Sequence, residues 1–240
     1  MRFQLLPSTG LCQDARFDEC LVGLAAQHGP TACVWESGQG LVVPRTYQRH
    51  APFSTSCASF AELGWPVTVR QSGGGIVPQG PGIINLSLAY AVEGKPLDHS
   101  DDAYLLICRV IAGALREFGI DSHPQAVEGS FCDGRYNLAV GCGPSARKVA
   151  GTAQLWRRQA VALGTDTIQI VLVHGLILAE VDVAALTECA NRFEQAIGSE
   201  KRYSSDKIAS LHTLATVPAT DGRHFAGAVS AALEHQIVSL

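Results

Sequence analysis

Apolar positions recur along this chain with two periods, and the change from one to the other marks out its elements. Thr31 to Val43 is apolar on either side of Ser37-Gly38-Gln39-Gly40, which predicts two short strands joined at a turn. Val67-Thr68-Val69-Arg70-Gln71 alternates and predicts another strand. A Gly/Pro-rich loop follows it, then a β-rich run from Ile83 to Tyr90. Asp98-His99-Ser100-Asp101-Asp102 supplies helix N-cap candidates. Behind them Tyr104, Leu105, Cys108, Ile111, Ala112, Leu115 and Phe118 fall on one helical stripe, which Gly119 ends. Three strand-like runs come next: Tyr136 to Gly141, Lys148 to Trp156, and Ile168 to Glu180. Asp182 caps a helix to about Ile197. The rest reads as two further helices, with Ser205 or Asp206 and Asp221 near their starts. A long helix between strand groups predicts an α+β fold, a mixed β-sheet flanked by helices, and not the regular βαβ alternation of a Rossmann fold. Residues 1–240 read as one catalytic-type domain, with C-terminal helices over 183–240.

Composition narrows the function classes. The 240 residues are 47% hydrophobic and 17% charged, a globular balance rather than a disordered one. Lys plus Arg is 18 against 22 Asp plus Glu, a net charge of −4, which disfavours a generic nucleic-acid binder. No apolar run reaches the roughly 18 residues of a membrane span. Met1 to Gly10 carries one basic residue and reaches Pro7 after a few apolar ones, so it is not read as a secretory signal, and a cytoplasmic protein is expected. The cysteines are Cys12, Cys20, Cys33, Cys57, Cys108, Cys132, Cys142 and Cys189; none form C-x-x-C pairs and no H-E-x-x-H is present, so no metal site is expected. Most read as small buried hydrophobes.

Four stretches could carry chemistry. In Arg70-Gln71-Ser72-Gly73-Gly74-Gly75, three glycines permit either a tight turn or a close approach of ligand to backbone. Neither a Walker A loop nor a G-x-G-x-x-G helix start follows. In Phe131-Cys132-Asp133-Gly134-Arg135-Tyr136-Asn137 the cysteine lies in a turn, outside any apolar period. It is either an inert bystander or a thiolate near a cation. In Arg147 to Gln154 a regular strand places Lys148, Ala150, Thr152 and Gln154 on one face: an open floor behind a lysine, or an edge strand with a solvated one. His174-Gly175 interrupts an apolar strand, as a satisfied core histidine or a catalyst, and the glycine suggests a close neighbour. No Gly-x-Ser-x-Gly elbow is present.

These pieces, in this order, resemble the lipoate-protein ligase and octanoyltransferase family over about 31–182. That family carries an Arg-x-Ser-Gly-Gly-Gly loop and an Asn-x-Ser strand, here Asn85-Leu86-Ser87. Its Gly-Arg-x-Asp/Asn-Leu-x-Val strand is Gly134 to Val140 here, its lysine strand is Arg147 to Gln154, and its His-Gly-x-x-Leu strand is His174 to Leu178. The resemblance implies a fold like the biotin/lipoate protein ligase catalytic domain. It implies a tunnel for an octanoyl or lipoyl chain and a carbonyl-binding lysine, Lys148. It implies substrate contacts from Arg70, Ser72, Gly73, Gly74, Gly75, Gly82, Asn85, Gly134, Arg135, Ala150, Gly151, Thr152 and His174. Ile76, Val77, Ala150 and Ala153 are the expected apolar lining.

Departures select the branch. The His-Asp-x-Gly-Asn stretch usual in the ligases reads Gln79-Gly80-Pro81-Gly82-Ile83 here, and only about 25–30 residues follow the helix expected near Leu211, where those ligases commonly carry a separate small C-terminal domain. Biotin ligase relatives need a Gly-Arg-Gly-Arg loop, which is absent. Phe131-Cys132-Asp133-Gly134 instead resembles the Tyr-Cys-Pro-Gly motif of the amidotransferase branch, as does Gly82-Ile83-Ile84-Asn85-Leu86-Ser87. That branch passes octanoyl groups through a cysteine thioester, which makes Cys132 the expected nucleophile. Thioester exchange is nearly neutral and needs no nucleotide. No cofactor is therefore expected, and ATP with Mg would enter only if the chain were a ligase. The partners implied are lipoyl carrier domains or the glycine-cleavage H protein, with acyl carrier protein as an alternative donor. Arg135, Arg147, Arg157 and Arg158 flank the two site strands, as a basic rim for an acidic carrier or, for Arg157 and Arg158, as charges that merely solubilise a loop. A non-catalytic acyl-carrier binder is the rival from another class.

Overall fold

The computed structural model of the chain describes residues 1–7, 11–12, 14–159, 167–217 and 224–240; Asp221 and the side chain of Cys12 lie outside the described residues. Eleven strands and five α-helices are present among the described residues. The strands are β1 (Gln4–Leu6), β2 (Leu11–Cys12), β3 (Thr31–Ser37), β4 (Gly40–Pro44), β5 (Val67–Arg70), β6 (Val77–Gln79), β7 (Ile83–Glu93), β8 (His123–Pro124), β9 (Leu138–Val140), β10 (Arg147–Gln159) and β11 (Ile168–Leu178). The helices are α1 (Leu21–His28), α2 (Phe53–Glu62), α3 (Pro96–Arg116), α4 (Val183–Ala196) and α5 (Phe225–Val238).

The large sheet has eight strands in the order β1-β3-β7-β11-β10-β9-β8, with β2 also paired to β3. Its centre is antiparallel, while β1 and β2 run parallel to β3. The mixed sheet flanked by helices is the α+β arrangement expected from the pattern. The run from Thr31 to Val43 is not a simple hairpin. β4 leaves the large sheet after Ser37 and joins a second, three-stranded sheet in the order β5-β4-β6. Part of the Gly/Pro-rich stretch, Val77-Pro78-Gln79, is one of its strands.

Both faces of the large sheet are covered, so its central strands are apolar in near-continuous runs. On one face Ile84, Leu86, Leu88, Val171, Val173 and Ile177 pack against α3 and α5. The buried stripe of α3 is Ala103, Ile107, Val110, Ile111, Ala114 and Leu115; Leu105, placed on it by the sequence pattern, is 43% exposed. The N-cap is Lys95, followed by Pro96 at the first helical position, and Asp98 accepts from the Lys95 backbone N–H at 3.4 Å rather than forming the cap itself. On the other face α1 covers Trp35, Ala89, Leu155, Ile170 and Leu172. α2, α4 and the small sheet gather around Phe131, Leu176, Leu178 and Phe193.

Asp182 caps α4 as predicted, accepting from the Ala185 N–H at 3.0 Å. The helix expected at Ser205 or Asp206 is not there. Single helical turns occur at Ser205–Lys207 and Leu211–Thr213, and between them Ala209 N–H donates to the Lys148 carbonyl at 2.9 Å. This segment serves as an extra backbone partner for the start of β10, a tertiary contact that overrides its local pattern. No helix among the described residues is long and apolar enough to cross a membrane.

Candidate active site

The loop after β5 and the segment before β9 converge on Cys132. Its φ is +54°, and among the described residues no other non-glycine residue is in the left-handed region. That conformation costs roughly 1–2 kcal/mol for a side chain with a Cβ. Three side-chain hydrogen bonds hold it. Lys148 Nζ donates to the Phe131 carbonyl at 2.6 Å and to the Cys132 carbonyl at 2.9 Å, and Asn137 Nδ2 donates to the Cys132 carbonyl at 2.9 Å.

The cysteine also explains the glycine run. Gly75 N–H donates to Cys132 Sγ at 3.2 Å. A β-carbon at Gly74, whose φ is +109°, would fall 2.7 Å from that sulfur and 2.8 Å from Arg70 Nη2; one at Gly75 would lie 3.3 Å from Cys132 Cα. What approaches these glycines is the chain's own thiol. Arg70 is buried and donates through Nη2 to the Gly73 and Gly75 carbonyls at 2.9 and 3.0 Å, while its Nε is buried without a hydrogen-bond partner. Behind the loop, Ile76 N–H donates to Tyr47 Oη at 3.2 Å. The hydroxyls of Tyr47 and Tyr203 both donate to buried Glu194 Oε1, at 2.5 and 2.6 Å.

The cysteines separate electrostatically. Burial pushes the Cys108 thiol up to about 12 and that of Cys189 up to about 11, and raises Cys57 as well. Burial pushes Cys132 in the same direction, but the charges of Lys148 and Arg70 and the Gly75 N–H outweigh it, and the thiol is held below its ordinary range. Lys148, fully buried, is pushed down to about 8 by that burial.

Below Cys132 lies a pocket lined by apolar side chains including Trp35, Val42, Val77, Leu155, Leu172 and Leu176, with Gly151 and Ala153 beside them. On its other side Cys132 borders an open cleft, edged by Gly73, Tyr104, Glu128, Gly134, Lys201 and Arg202. The thiol thus sits between an apolar pocket and an open cleft.

β10 departs from regular alternation. Its register with β9 shifts between Lys148 and Ala150, a β-bulge. Val149 and Ala150 therefore both pack into the core against α3, and Lys148 shares a side with Gly151. A β-carbon on Gly151 would lie 2.8 Å from Lys148 Nζ. The predicted face is broken after its first member: Lys148 falls on one side, and Ala150, Thr152 and Gln154, in regular register with β11, fall on the other. Nor is this an edge strand with a solvated lysine: β10 lies between β9 and β11.

The structure gathers Arg70, Ser72, Asn85, Cys132, Gly151, Thr152 and His174 around the apolar cavity. Gly73, Gly74, Gly75 and Gly134 line the cleft. Ala150 and Ile76 are core residues instead of lining, whereas Val77 and Ala153 line the cavity as expected. Gly82 meets the main chain of Glu180, whose carbonyl oxygen would lie 1.9 Å from a β-carbon there, so a strand-end contact requires this glycine. Arg135 is exposed, paired with Asp101 at 2.5 Å and stacked over Tyr136. Of the expected basic rim, Arg157 hydrogen-bonds to Gln71, and Gln71 in turn donates to Glu19 at the cavity mouth. Gly175 accommodates Ile111 of α3, 2.8 Å from a β-carbon built there, rather than a ligand.

Sequence reasoning missed Asp18. It lies in a short turn, Phe17–Cys20, with no apolar period to mark it, and is buried. Its Oδ2 is 2.6 Å from His174 Nδ1 and accepts from Ser87 Oγ at 3.1 Å, while His174 Nε2 is 3.0 Å from Ser72 Oγ. It also missed Gln79, whose amide pairs with that of Asn85 at 2.8 and 3.1 Å beside the cavity. Among the described residues no group of three His, Cys, Asp or Glu side chains could hold a metal ion.

The family model described as lipoyl protein ligase A/B catalytic domain matches residues 13–231. An uncharacterized protein of Cupriavidus necator is 52% identical over 193 residues, covering 80% of this chain and 76% of that one. An octanoyl-[GcvH]:protein N-octanoyltransferase of Kyrpidia tusciae is 36% identical over 152 residues, covering 63% of this chain. That match spans only 50% of the octanoyltransferase's own length. Among solved structures, lipoate-protein ligase A bound with ATP superposes with a TM-score of 0.69 over 100% of this chain and 85% of that one, at 15% identity.

Proposed function

The chain belongs to the lipoyl protein ligase A/B catalytic domain family, and from that premise we propose that it is a cysteine-dependent acyltransferase, moving an octanoyl or lipoyl group through a thioester on Cys132 to the lysine of a lipoyl carrier domain. The observation that carries this reading is the state of Cys132: a left-handed backbone, a thiol held below its ordinary range, and a hydrogen bond from Gly75, at the junction of an apolar cavity and an open cleft. A poised thiolate at a cavity mouth is what nucleophilic acyl transfer requires.

In the cycle, the acyl chain occupies the apolar cavity and its carbonyl lies at the thiolate. Cys132 attacks, the donor leaves, and the acceptor amine then attacks the acyl-cysteine and releases the thiolate. Lys148 acts from beneath. Two of its three N–H groups fix the Phe131 and Cys132 carbonyls, and its charge stabilises first the thiolate and then the oxyanion. The resemblance to an octanoyl-[GcvH]:protein N-octanoyltransferase supports an amide-linked octanoyl group as donor. One amide is exchanged for another, so the overall transfer is nearly neutral and needs no nucleotide, and the cysteine splits it into two easier steps.

The test is the intact mass of the purified protein mixed with an octanoyl thioester, with and without ATP. One octanoyl group should appear on Cys132 without nucleotide, and Cys132→Ala should prevent it. An unchanged adduct on that variant, or transfer only with ATP, overturns the reading in favour of an adenylate-forming ligase.

A further inference from the structure

Acyl transfer between two amines raises a question the thiolate does not answer: where the protons go. When Cys132 displaces an amine from an amide, the leaving nitrogen must gain a proton. When the acceptor amine attacks the thioester, its nitrogen must lose one. Lys148 is committed to two carbonyls beneath the loop and is enclosed. The apolar cavity holds a second polar constellation. Ser72, His174 and Asp18 come from the glycine loop, β11 and the turn before α1, and all three line the cavity that Cys132 borders.

Their order is that of a serine, a histidine and a carboxylate in line. Asp18 Oδ2 also accepts from Ser87 Oγ, which itself accepts from Trp35 Nε1 at 3.1 Å, so the carboxylate is fixed from two sides. A carboxylate only accepts, so His174 Nδ1 carries a hydrogen and the ring's other nitrogen faces Ser72. Across the 3.0 Å contact Ser72 Oγ accepts from an imidazolium or donates to a neutral imidazole, so both protonation states fit one geometry. The other charged or titratable groups lining the cavity are Glu19, Arg70 and Cys132. Directly across the sheet from His174 stand Ser87 and Ala153, which carry no charge.

We propose that Ser72 and His174, positioned by Asp18, are the proton relay of the transfer: the acid for the leaving amine and the base for the entering one. The proposal rests on the acyl-cysteine reading. In the first half-reaction the C–S bond forms, the amide C–N bond breaks, and the leaving nitrogen takes the Ser72 proton while Ser72 takes the one on His174 Nε2. In the second half-reaction the new C–N bond forms, Cys132 leaves as thiolate, and the nitrogen's surplus proton returns through Ser72 to His174. Ser72 and His174 are catalytic residues; Asp18 is a positioning residue that fixes the ring and stabilises the imidazolium.

A thioester donor releases a thiolate and needs no acid, so it separates the relay from the nucleophile. Wild type, His174→Gln, Asp18→Asn and Ser72→Ala are each incubated with an octanoyl thioester of a small thiol until one octanoyl group per chain is carried. The isolated adducts are then mixed with propylamine over a range of pH at fixed free-amine concentration, and loss of the adduct is followed by intact mass. In wild type the rate should fall as one group protonates with decreasing pH. General acid–base catalysis typically supplies about 10²–10⁴-fold, so His174→Gln should slow aminolysis by that order and lose the pH-dependent limb. Asp18→Asn should slow it less and move the limb to lower pH, because the imidazolium loses its carboxylate. An adduct that forms while all three variants keep the wild-type rate and pH limb overturns the relay alone and makes the array a structural tether. No adduct on wild type overturns the acyl-cysteine reading, and the relay with it.

Discussion

The two faces of the large sheet are equally buried and chemically opposite. Towards α3 and α5 the strands present Leu86, Leu88, Val171, Val173 and Ile177, which pack into an apolar core. Towards the small sheet the same strands present Asn85, Ser87 and His174, joined there by buried Arg70, Asp18 and Lys148. Burying polar and charged groups is costly unless each is partnered. Asp18, Asn85, Ser87, His174 and Lys148 all have partners, and of the groups just named only Arg70 has an unpartnered atom, its Nε. One face is organised for stability; the other keeps cations beside a thiol. The thiols report the same contrast. Cys108 on the helical face is pushed up to about 12 by burial, whereas Cys132, across the sheet, is held below its ordinary range.

The comparison is broken most strongly by removing bulk from the helical face. Leu115→Ala should destabilise the fold by about 2–5 kcal/mol in urea unfolding, while octanoyl loading per folded chain is retained. A loss of activity with little loss of stability would mean that this face also shapes the site.

On the polar face Lys148→Met should lower acyl-transfer turnover by about 10²–10³-fold. The same variant should alter the pH dependence of Cys132 alkylation by iodoacetamide. In wild type the nearby cations favour the thiolate, so alkylation persists below the ordinary thiol range. Removing the Lys148 charge favours the protonated thiol, so the limb should move to higher pH. A limb that stays in place would assign the lowered thiol to Arg70 and the Gly75 N–H.

The smallest effect expected has the opposite sign. Cys132→Gly should abolish acylation yet gain about 1 kcal/mol of stability, because glycine adopts the left-handed backbone without strain. A loss of stability would mean that the thiol's contacts outweigh that strain.

The sequence by itself determined the elements that have a clear period and the chemistry that has a local signature. The central strands, α3 and α4 followed from apolar repeats and from Asp182 as a cap. Cys132 stood out because it lay in a turn, outside every apolar run, and the glycine run marked a tight backbone approach without saying what approached. Tertiary structure decided the rest, for three physical reasons. A bulge between Lys148 and Ala150 shifts a strand's faces without any residue type to announce it, so alternation wrongly put Lys148 on the face of Ala150, Thr152 and Gln154. The segment around Ala209 bonds the Lys148 carbonyl rather than its own helix, so its local pattern was overruled. Asp18 joins His174 across 156 positions of sequence, and a carboxylate in an aperiodic turn carries no signal until folding gives it a partner.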